Sequence, residues 1–521
     1  MSPPVPKSVP PTRADPVVAA ASEVIGGPLG RYAAPVRHTA RSLWQPAAAV
    51  LVGLASLTVA AGVLQKAHCF SKGWNTPDQF WHACYSDLPL VYQTNGLGHA
   101  MPYLPGAQHL DQPLVTGLVM WLVGLLVPDG SVMVQQQWYF ALSAVLVTVL
   151  AMALVAVTVA SVPETPWRAA HIALSPVLVL AGLVSLDLLG VLLTSAALWA
   201  WGRRRVPLAG ILFGLAISAR SYPIVLLVAI GLLAVRCGKV AVWRRLVLTA
   251  LGTWLAVSVP WLLTNADGLL SVYRSWWRGG ASYGSAWVVP SLLGHGLSGG
   301  AVMWLPVAGW LVALVVGALF ALSLDRRPSV AEISLVMLVI VLVSGKSVPV
   351  QAGLWLLPLI ALVGMQWRDH LIWAGFEATY FVAVWLYIGG LSKPDRGLPV
   401  RGYSTLLLLR LVALLFLLVQ VWRVARSRPP AEPVGDVPVG DVPVGDVPVG
   451  DVAVEAAELF GDAAETVGEP DQTFEPVDEQ AEPVGGWAAE ESADERAPVE
   501  EIDPLAGPLA GAPDAVLVRF G

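Results

Sequence analysis

Apolar residues run in long blocks between about Ala47 and Trp422, most of them roughly 15 to 23 residues long, parted by short polar segments. At 1.5 Å per residue such blocks cross a hydrocarbon core about 30 Å thick. Lipid offers no partner to backbone N–H and C=O groups, so the blocks are expected to be helices. Thirteen blocks can be counted, and the clusters of Lys and Arg between them set their direction. Arg31, Arg37 and Arg41 precede the first block, and Arg203–Arg205, then Arg236, Lys239, Arg244 and Arg245, follow later ones. Arg326 and Arg327, Arg368, and the group Arg423, Arg426 and Arg428 complete the set. Positive residues mark the cytoplasmic side, so both termini are expected there and the number of crossings must be even. Leu114–Val127 is short, follows a long loop and is followed by the polar Asp129–Gln137, so it is read as re-entrant or interfacial. Twelve spans remain, near 47–64, 138–161, 171–186, 188–202, 207–219, 223–236, 246–264, 301–323, 329–345, 351–366, 371–390 and 404–423.

Composition agrees with this pattern and divides the chain. Of 521 residues, 56% are hydrophobic and 13% charged, with mean hydropathy +0.65, which excludes an ordinary soluble enzyme. The net charge of −6 hides an asymmetry. Through Pro430 there are 29 Lys and Arg against 14 Asp and Glu, while from Ala431 there are 2 against 23. Three regions follow: a Pro/Ala-rich cytoplasmic segment 1–43, expected to be largely disordered; an all-α, polytopic transmembrane bundle 44–424; and an acidic cytoplasmic tail 425–521. Ala47–Leu64 reads as a retained first helix, because no small-residue cleavage site follows it. The tail opens with Pro-Val-Gly-Asp-Val repeated from Pro433 to Val452, where Pro and Gly oppose both helix and strand. It is expected to be disordered and to act as a solvated spacer, with no partner specified by the sequence.

The candidate chemistry falls on the external side. The loop 65–112 is longer than a connector needs and carries the carboxylates Asp78, Asp87 and Asp111. A carboxylate with apolar neighbours has a raised pKa and can serve as a general base towards a hydroxyl, although a loop Asp is more commonly a cap or a solvated charge. Asp187 falls at the next external junction, where Arg220 is a natural partner and an N-cap role the competing reading. Arg220, Lys346, Arg274 and Arg278 together suggest a cationic mouth suited to a lipid phosphate, though a lysine at a helix end also snorkels. Trp and Tyr around 273–287 suit sugar rings or isoprenoid chains, and equally anchor a membrane protein at the interface. Cys69 and Cys84 share the external loop, where a disulfide is permitted; two free thiols are the alternative. Neither belongs to a metal-site pattern.

An ordered set of short motifs resembles glycosyltransferase family 87 of the GT-C superfamily, which includes polyprenol-phosphate-mannose-dependent mannosyltransferases. The pieces are Tyr85-Ser-Asp87-Leu-Pro with Tyr92, Pro102-Tyr103, and Asp111-Gln-Pro-Leu-Val-Thr-Gly117. They continue with Ser175-Pro176, Asp187-Leu-Leu, Arg203-Arg-Arg-Val-Pro-Leu-Ala-Gly210, Ala219-Arg-Ser-Tyr-Pro223 and Lys346-Ser-Val-Pro-Val-Gln-Ala-Gly-Leu-Trp-Leu-Leu-Pro358. The chain departs from relatives in reading Asp111-Gln112-Pro113 for Glu-Tyr-Pro, Arg220 for Lys, and Ser344-Gly345 where an Asn precedes the later Lys. The resemblance implies a GT-C-like helical fold in the plasma membrane and an inverting transfer of a hexose such as mannose. The donor implied is a polyprenyl-phosphate sugar and the acceptor a cell-envelope glycolipid or glycan at the external face. It implies Asp87 as base, Arg220 and Lys346 near the donor phosphate, and Asp187, Tyr92, Tyr103, Asp111, Gln351 and Arg278 at the substrates. Neither metal nor other cofactor is required in that scheme, and nucleic acid plays no part. A transporter or flippase, or a non-catalytic scaffold recruiting partners by its tail, are the rival readings from other classes.

Overall fold

The computed structural model describes residues 15–18, 20–21, 46–427 and 503–518. The expectations for 1–14, 22–45 and 428–502, including the repeats, lie outside the described residues. Helices are the only regular elements among the described residues. Six helices are long and apolar enough to cross a membrane: Pro46–Gln65, Val132–Ser161, Val240–Arg278, Gly299–Ser323, Trp367–Ser392 and Val400–Arg426. Shorter apolar helices run Asp187–Gly202, Val206–Ala219, Pro223–Arg236, Val330–Ser344 and Gly353–Val363. The chain is a multi-pass helical membrane protein.

The block read as non-spanning, Leu114–Val127, forms a helix only over Leu114–Gly124. Its 11 residues reach about 16 Å, half of a hydrocarbon core. It lies against the ends of two longer helices, with Thr116 Oγ1 donating to the Ala219 carbonyl (2.9 Å) and the Met120 carbonyl accepting from Tyr139 (3.1 Å). Gly117 packs on the Tyr103 hydroxyl so closely that a Cβ there would overlap it.

Three expected boundaries are corrected. The span placed at 171–186 is broken into Ala170–Ala173 and Pro176–Ala181, followed by a turn into Asp187. Pro176 has no N–H to continue the first piece, and Ser175 caps the second by accepting from Val177 N (3.3 Å). The second correction concerns 246–264, which belongs to a 39-residue helix, Val240–Arg278, so much of the expected loop Asn265–Gly300 is helical. Pro260 lies inside it and Asn265 leaves helical geometry (φ −155°, ψ 77°); the Asn265 side chain then accepts from Gly268 N (3.1 Å) and restarts the helix. The third concerns the polar stretch before 138, which is drawn into Val132–Ser161, because Gln136 pairs with Gln93 and Gln137 donates to the Phe70 carbonyl.

The bundle has two distinguishable polar ends. One gathers Asp87, Asp187, Arg220 and Lys346 with loop 65–112. The other gathers Arg203, Arg236, Arg326, Arg327 and Cys237. There Arg236, fully buried, donates to the carbonyls of Ala321 (2.8 Å) and Leu324 (2.9 Å) and to Asp514 (2.6 Å). Arg327 joins the same carboxylate at 2.6 Å, and Ala515 N donates to the Arg236 carbonyl at 2.7 Å. Residues 503–518 therefore pack on the helices, with Leu505 and Leu509 buried, where a tail disordered to its end had been expected.

Candidate active site

Asp87 opens the helix Asp87–Thr94, which Ser86 caps by accepting from Leu88 N (3.3 Å). Its register on the bundle is fixed from below: Asp87 N donates to the Val184 carbonyl (2.8 Å) and Ser86 Oγ to the Leu183 carbonyl (2.7 Å). Tyr85 donates its hydroxyl to Asp87 Oδ1 at 2.6 Å, and its ring is wedged between Phe80 and Trp385 (centroids 5.5 and 4.4 Å). Removal from water pushes the Asp87 carboxyl above the usual carboxylate range. The Tyr85 hydrogen bond opposes that rise, the Asp187 charge adds to it, and Arg220 and Lys66 oppose it. Lys66 lies fully buried beneath, with Nζ on the Tyr85 carbonyl (2.8 Å) and over the Phe381 ring (4.9 Å). Desolvation brings Lys66 down to about 7, although the Asp87 charge pulls it upwards.

Asp187 is the first residue of Asp187–Gly202 and makes no cap; its carboxylate is turned to side-chain donors. Ser185 Oγ (2.7 Å) and Arg220 share Oδ1, while Trp355 Nε1 holds Oδ2 (2.7 Å). Tyr222 stacks on Trp355 at 5.0 Å. Buried and fully engaged, Asp187 serves to fix Arg220 and has little capacity left for another ligand. Arg220 reaches it with Nε (3.0 Å) and Nη2, and points Nη1 at Gln112 Oε1 (3.1 Å). Its side chain keeps 14% exposure, with each guanidinium nitrogen already engaged. The pairing of Asp187 with Arg220 is as the sequence suggested, and both act electrostatically on Asp87.

The other expected site residues divide. Tyr103 is buried beside this cluster and donates to the Gln112 carbonyl (2.7 Å), which shapes the turn that presents Gln112. Gln351 lies in the turn Val350–Ala352, one helical turn before Trp355. Asp111 stands at the exposed rim and accepts from Ser275 (2.9 Å). Tyr92 points away, stacked on Tyr139 at 4.7 Å, so it belongs to the packing of the loop on Val132–Ser161. Arg278 ends the long helix Val240–Arg278, exposed, and makes no polar contact with the Asp87 cluster among the described residues. Lys346 is turned to the end of the same long helix. Its Nζ donates to the carbonyls of Trp277 (2.9 Å) and Gly279 (3.0 Å) and lies over Trp276 (4.5 Å). Desolvation lowers its pKa. A mouth made of four free cations is therefore not what the structure shows, since Arg274 is also taken, by Asp267.

Cys69 and Cys84 form a disulfide (Cα–Cα 5.8 Å), which joins the start of the loop to the stretch just before Asp87. Lys66, Tyr85 and Trp355 were not singled out from the sequence as chemical partners. The signal for Tyr85 was its place two residues before Asp87; Lys66 and Trp355 gave none, because burial and aim are tertiary properties. A support also missed lies behind the Lys346 loop: Arg410, fully buried, chelates Glu377 (both 3.0 Å) and donates to the carbonyls of Val348 (3.0 Å) and Pro349 (3.1 Å).

The bundle thus brings a carboxylate of raised pKa near a guanidinium held by Asp187 and Gln112. Residues 113–345, a little under half of the chain, match the family model described as Glycosyltransferase family 87, so this stretch is similar to that family of membrane glycosyltransferases. Asp187 and Arg220 fall within the matched residues, and Asp87 precedes them. No curated protein matches the chain. Among solved structures it is similar to the crystal structure of ArnT from Cupriavidus metallidurans bound to undecaprenyl phosphate. That likeness has 17% identity and a TM-score of 0.34, over 65% of this chain and 71% of that one.

Proposed function

We propose that the protein transfers a hexose such as mannose from a polyprenyl-phosphate donor to a hydroxyl of a cell-envelope glycolipid or glycan, at the external face of the plasma membrane. The observation that carries this reading is the Asp87 carboxylate, half-buried and held by Tyr85, beside the Asp187-anchored Arg220. Asp87 accepts the proton of the acceptor hydroxyl as that oxygen attacks the anomeric carbon. The bond from this carbon to the phosphate oxygen breaks, its electron pair leaves with the lipid phosphate, and the anomeric centre inverts. Arg220 exchanges Gln112 for that phosphate and turns Nη1 to the charge growing on it. Burial suits Asp87 to the task, since a base with a raised pKa takes a hydroxyl proton more readily in the transition state. Lys346, seated on carbonyls, fixes the end of the long helix at the rim, and the phosphate is left to Arg220.

The test uses the full chain in nanodiscs, with radiolabelled polyprenyl-phosphate mannose and a membrane glycolipid extract as acceptor. Asp87→Asn is expected to lower product formation by at least about 10²-fold with an unchanged melting temperature. Transfer persisting at the wild-type rate in that variant removes Asp87 from the mechanism. No labelled product from the wild-type chain with this donor, while another lipid-phosphate sugar is turned over, overturns the choice of mannose.

A further inference from the structure

Two histidines and a carboxylate in loop 65–112 are brought together without any role in the cluster around Asp87. His68 lies in the short helix Ala67–Lys72, Asp78 begins Asp78–Trp81, and His82 follows it. Their potential ligand atoms all lie within 4.8 Å of one another. Asp78 Oδ2 stands 2.7 Å from His68 Nε2 and Oδ1 3.3 Å from His82 Nδ1, and the two imidazoles are stacked with centroids 3.5 Å apart. The backbones that carry them are pinned. The Cys69–Cys84 disulfide clasps the loop next to His68 and two residues beyond His82, and Gln65 donates to the Ala83 carbonyl at 2.6 Å. Phe80, between Asp78 and His82, is packed in the core.

We propose that His68, Asp78 and His82 form a divalent transition-metal site, with Zn²⁺ as the ion of best fit. Two imidazole nitrogens and one carboxylate oxygen are a borderline donor set that favours Zn²⁺ over Mg²⁺ or Ca²⁺, which prefer all-oxygen shells. A carboxylate flanked by two neutral imidazoles offers a cation one full negative charge and two lone pairs. Both cysteines of the loop are in the disulfide, so thiolate ligation does not compete. The three side chains keep 34 to 45% exposure, leaving the ion reachable and a fourth position open to water. Coordination turns the rings out of their stack about Cβ–Cγ, because nearly parallel rings cannot aim both nitrogens at one ion. The cost is low for exposed side chains on fixed backbones. The site lies five residues before Asp87 at its nearest ligand, so the ion would brace the stretch that presents Asp87, and it does not depend on the transfer reading.

The test loads the full chain in detergent with Zn²⁺ and dialyses it exhaustively against buffer containing excess Mg²⁺ and Ca²⁺. Metal content is then measured for wild type, His68→Gln/His82→Gln and Asp78→Asn. About one equivalent of zinc per chain is expected in wild type, with at least about a tenfold weaker affinity in each variant. Zinc is also expected to raise the melting temperature of wild type alone. Wild type that retains no zinc overturns the proposal even if a variant fails to fold, as does equal retention by wild type and variants.

Discussion

Both polar ends of the bundle bury an arginine against an aspartate, and the two are built differently. Arg236 is wholly enclosed, with main-chain carbonyls of Ala321, Leu324 and Asp325 and the Asp514 carboxylate around it. Arg220 rests on side chains: the Asp187 carboxylate and the Gln112 amide oxygen. Backbone carbonyls are fixed by the helices that own them, so Arg236 is committed to holding helix ends together. A side-chain amide can rotate aside, so Arg220 can trade Gln112 for a stronger anionic partner without disturbing a helix. A buried ion pair is thus weak evidence of function until its partners are sorted into main chain and side chain.

The sharpest way to break this comparison is to remove the two charges in parallel. Arg220→Gln is expected to cost about 10²-fold or more in transfer, with the donor assay above as readout. Arg236→Gln should leave transfer per folded molecule near wild type while lowering stability by about 3 kcal/mol, read from thermal unfolding in detergent. Equal loss of transfer in both would erase the distinction. Next in size is Asp187→Ala, which strands a buried guanidinium and is expected to destabilise by about 3–5 kcal/mol. Asp187→Asn should recover part of that stability and little of the activity, because its single amide oxygen can still accept from Arg220 while the bond from Trp355 and the charge that orients Arg220 are lost.

Lys66→Met gives a smaller effect that is confined to pH. The ammonium beneath Asp87 favours the ionised carboxylate, so its removal raises the Asp87 pKa further. The acidic limb of the pH–rate profile is then expected to move upward by about one unit, with the plateau rate little changed. Smallest is the contribution of Asp514. Burial pushes its carboxyl up, and the hydrogen bonds and charges of Arg236 and Arg327 more than reverse this, so it lies below the ordinary value. A lowered carboxyl pKa gives stability that is present above the unfolded value near 4 and is lost as pH falls through the folded one. Asp514→Ala should therefore cost about 1 kcal/mol at neutral pH, and the difference from wild type should vanish well below pH 4.

The helical class and the pairing of Asp187 with Arg220 were legible in the sequence. Apolar block length and the sign of flanking charge are one-dimensional signals, and an acid and a base at successive junctions on one side have few other partners. The break at Ser175-Pro176 was equally visible as a dipeptide, but the apolar composition around it is indistinguishable from that of a continuous span. Lys346 was read as a free cation because sequence reports charge and not aim. Only the folded chain shows its ammonium seated on the carbonyls of Trp277 and Gly279. The resemblance places Tyr92 at the substrates, whereas the helix Asp87–Thr94 turns it towards Tyr139.

The sulfur chemistry of the chain carries a record of sidedness. The end with loop 65–112 holds an oxidised pair, Cys69–Cys84, and the opposite end holds a buried free thiol, Cys237. Disulfides persist where the surroundings are oxidising and are reduced in the cytosol. All three cysteines are buried, so the readout is taken on denatured protein: a thiol reagent added to acid-quenched, denatured cells is expected to label Cys237 without reduction, and Cys69 and Cys84 only after it. Such a split would put the loop 65–112 end on the oxidising side of the membrane.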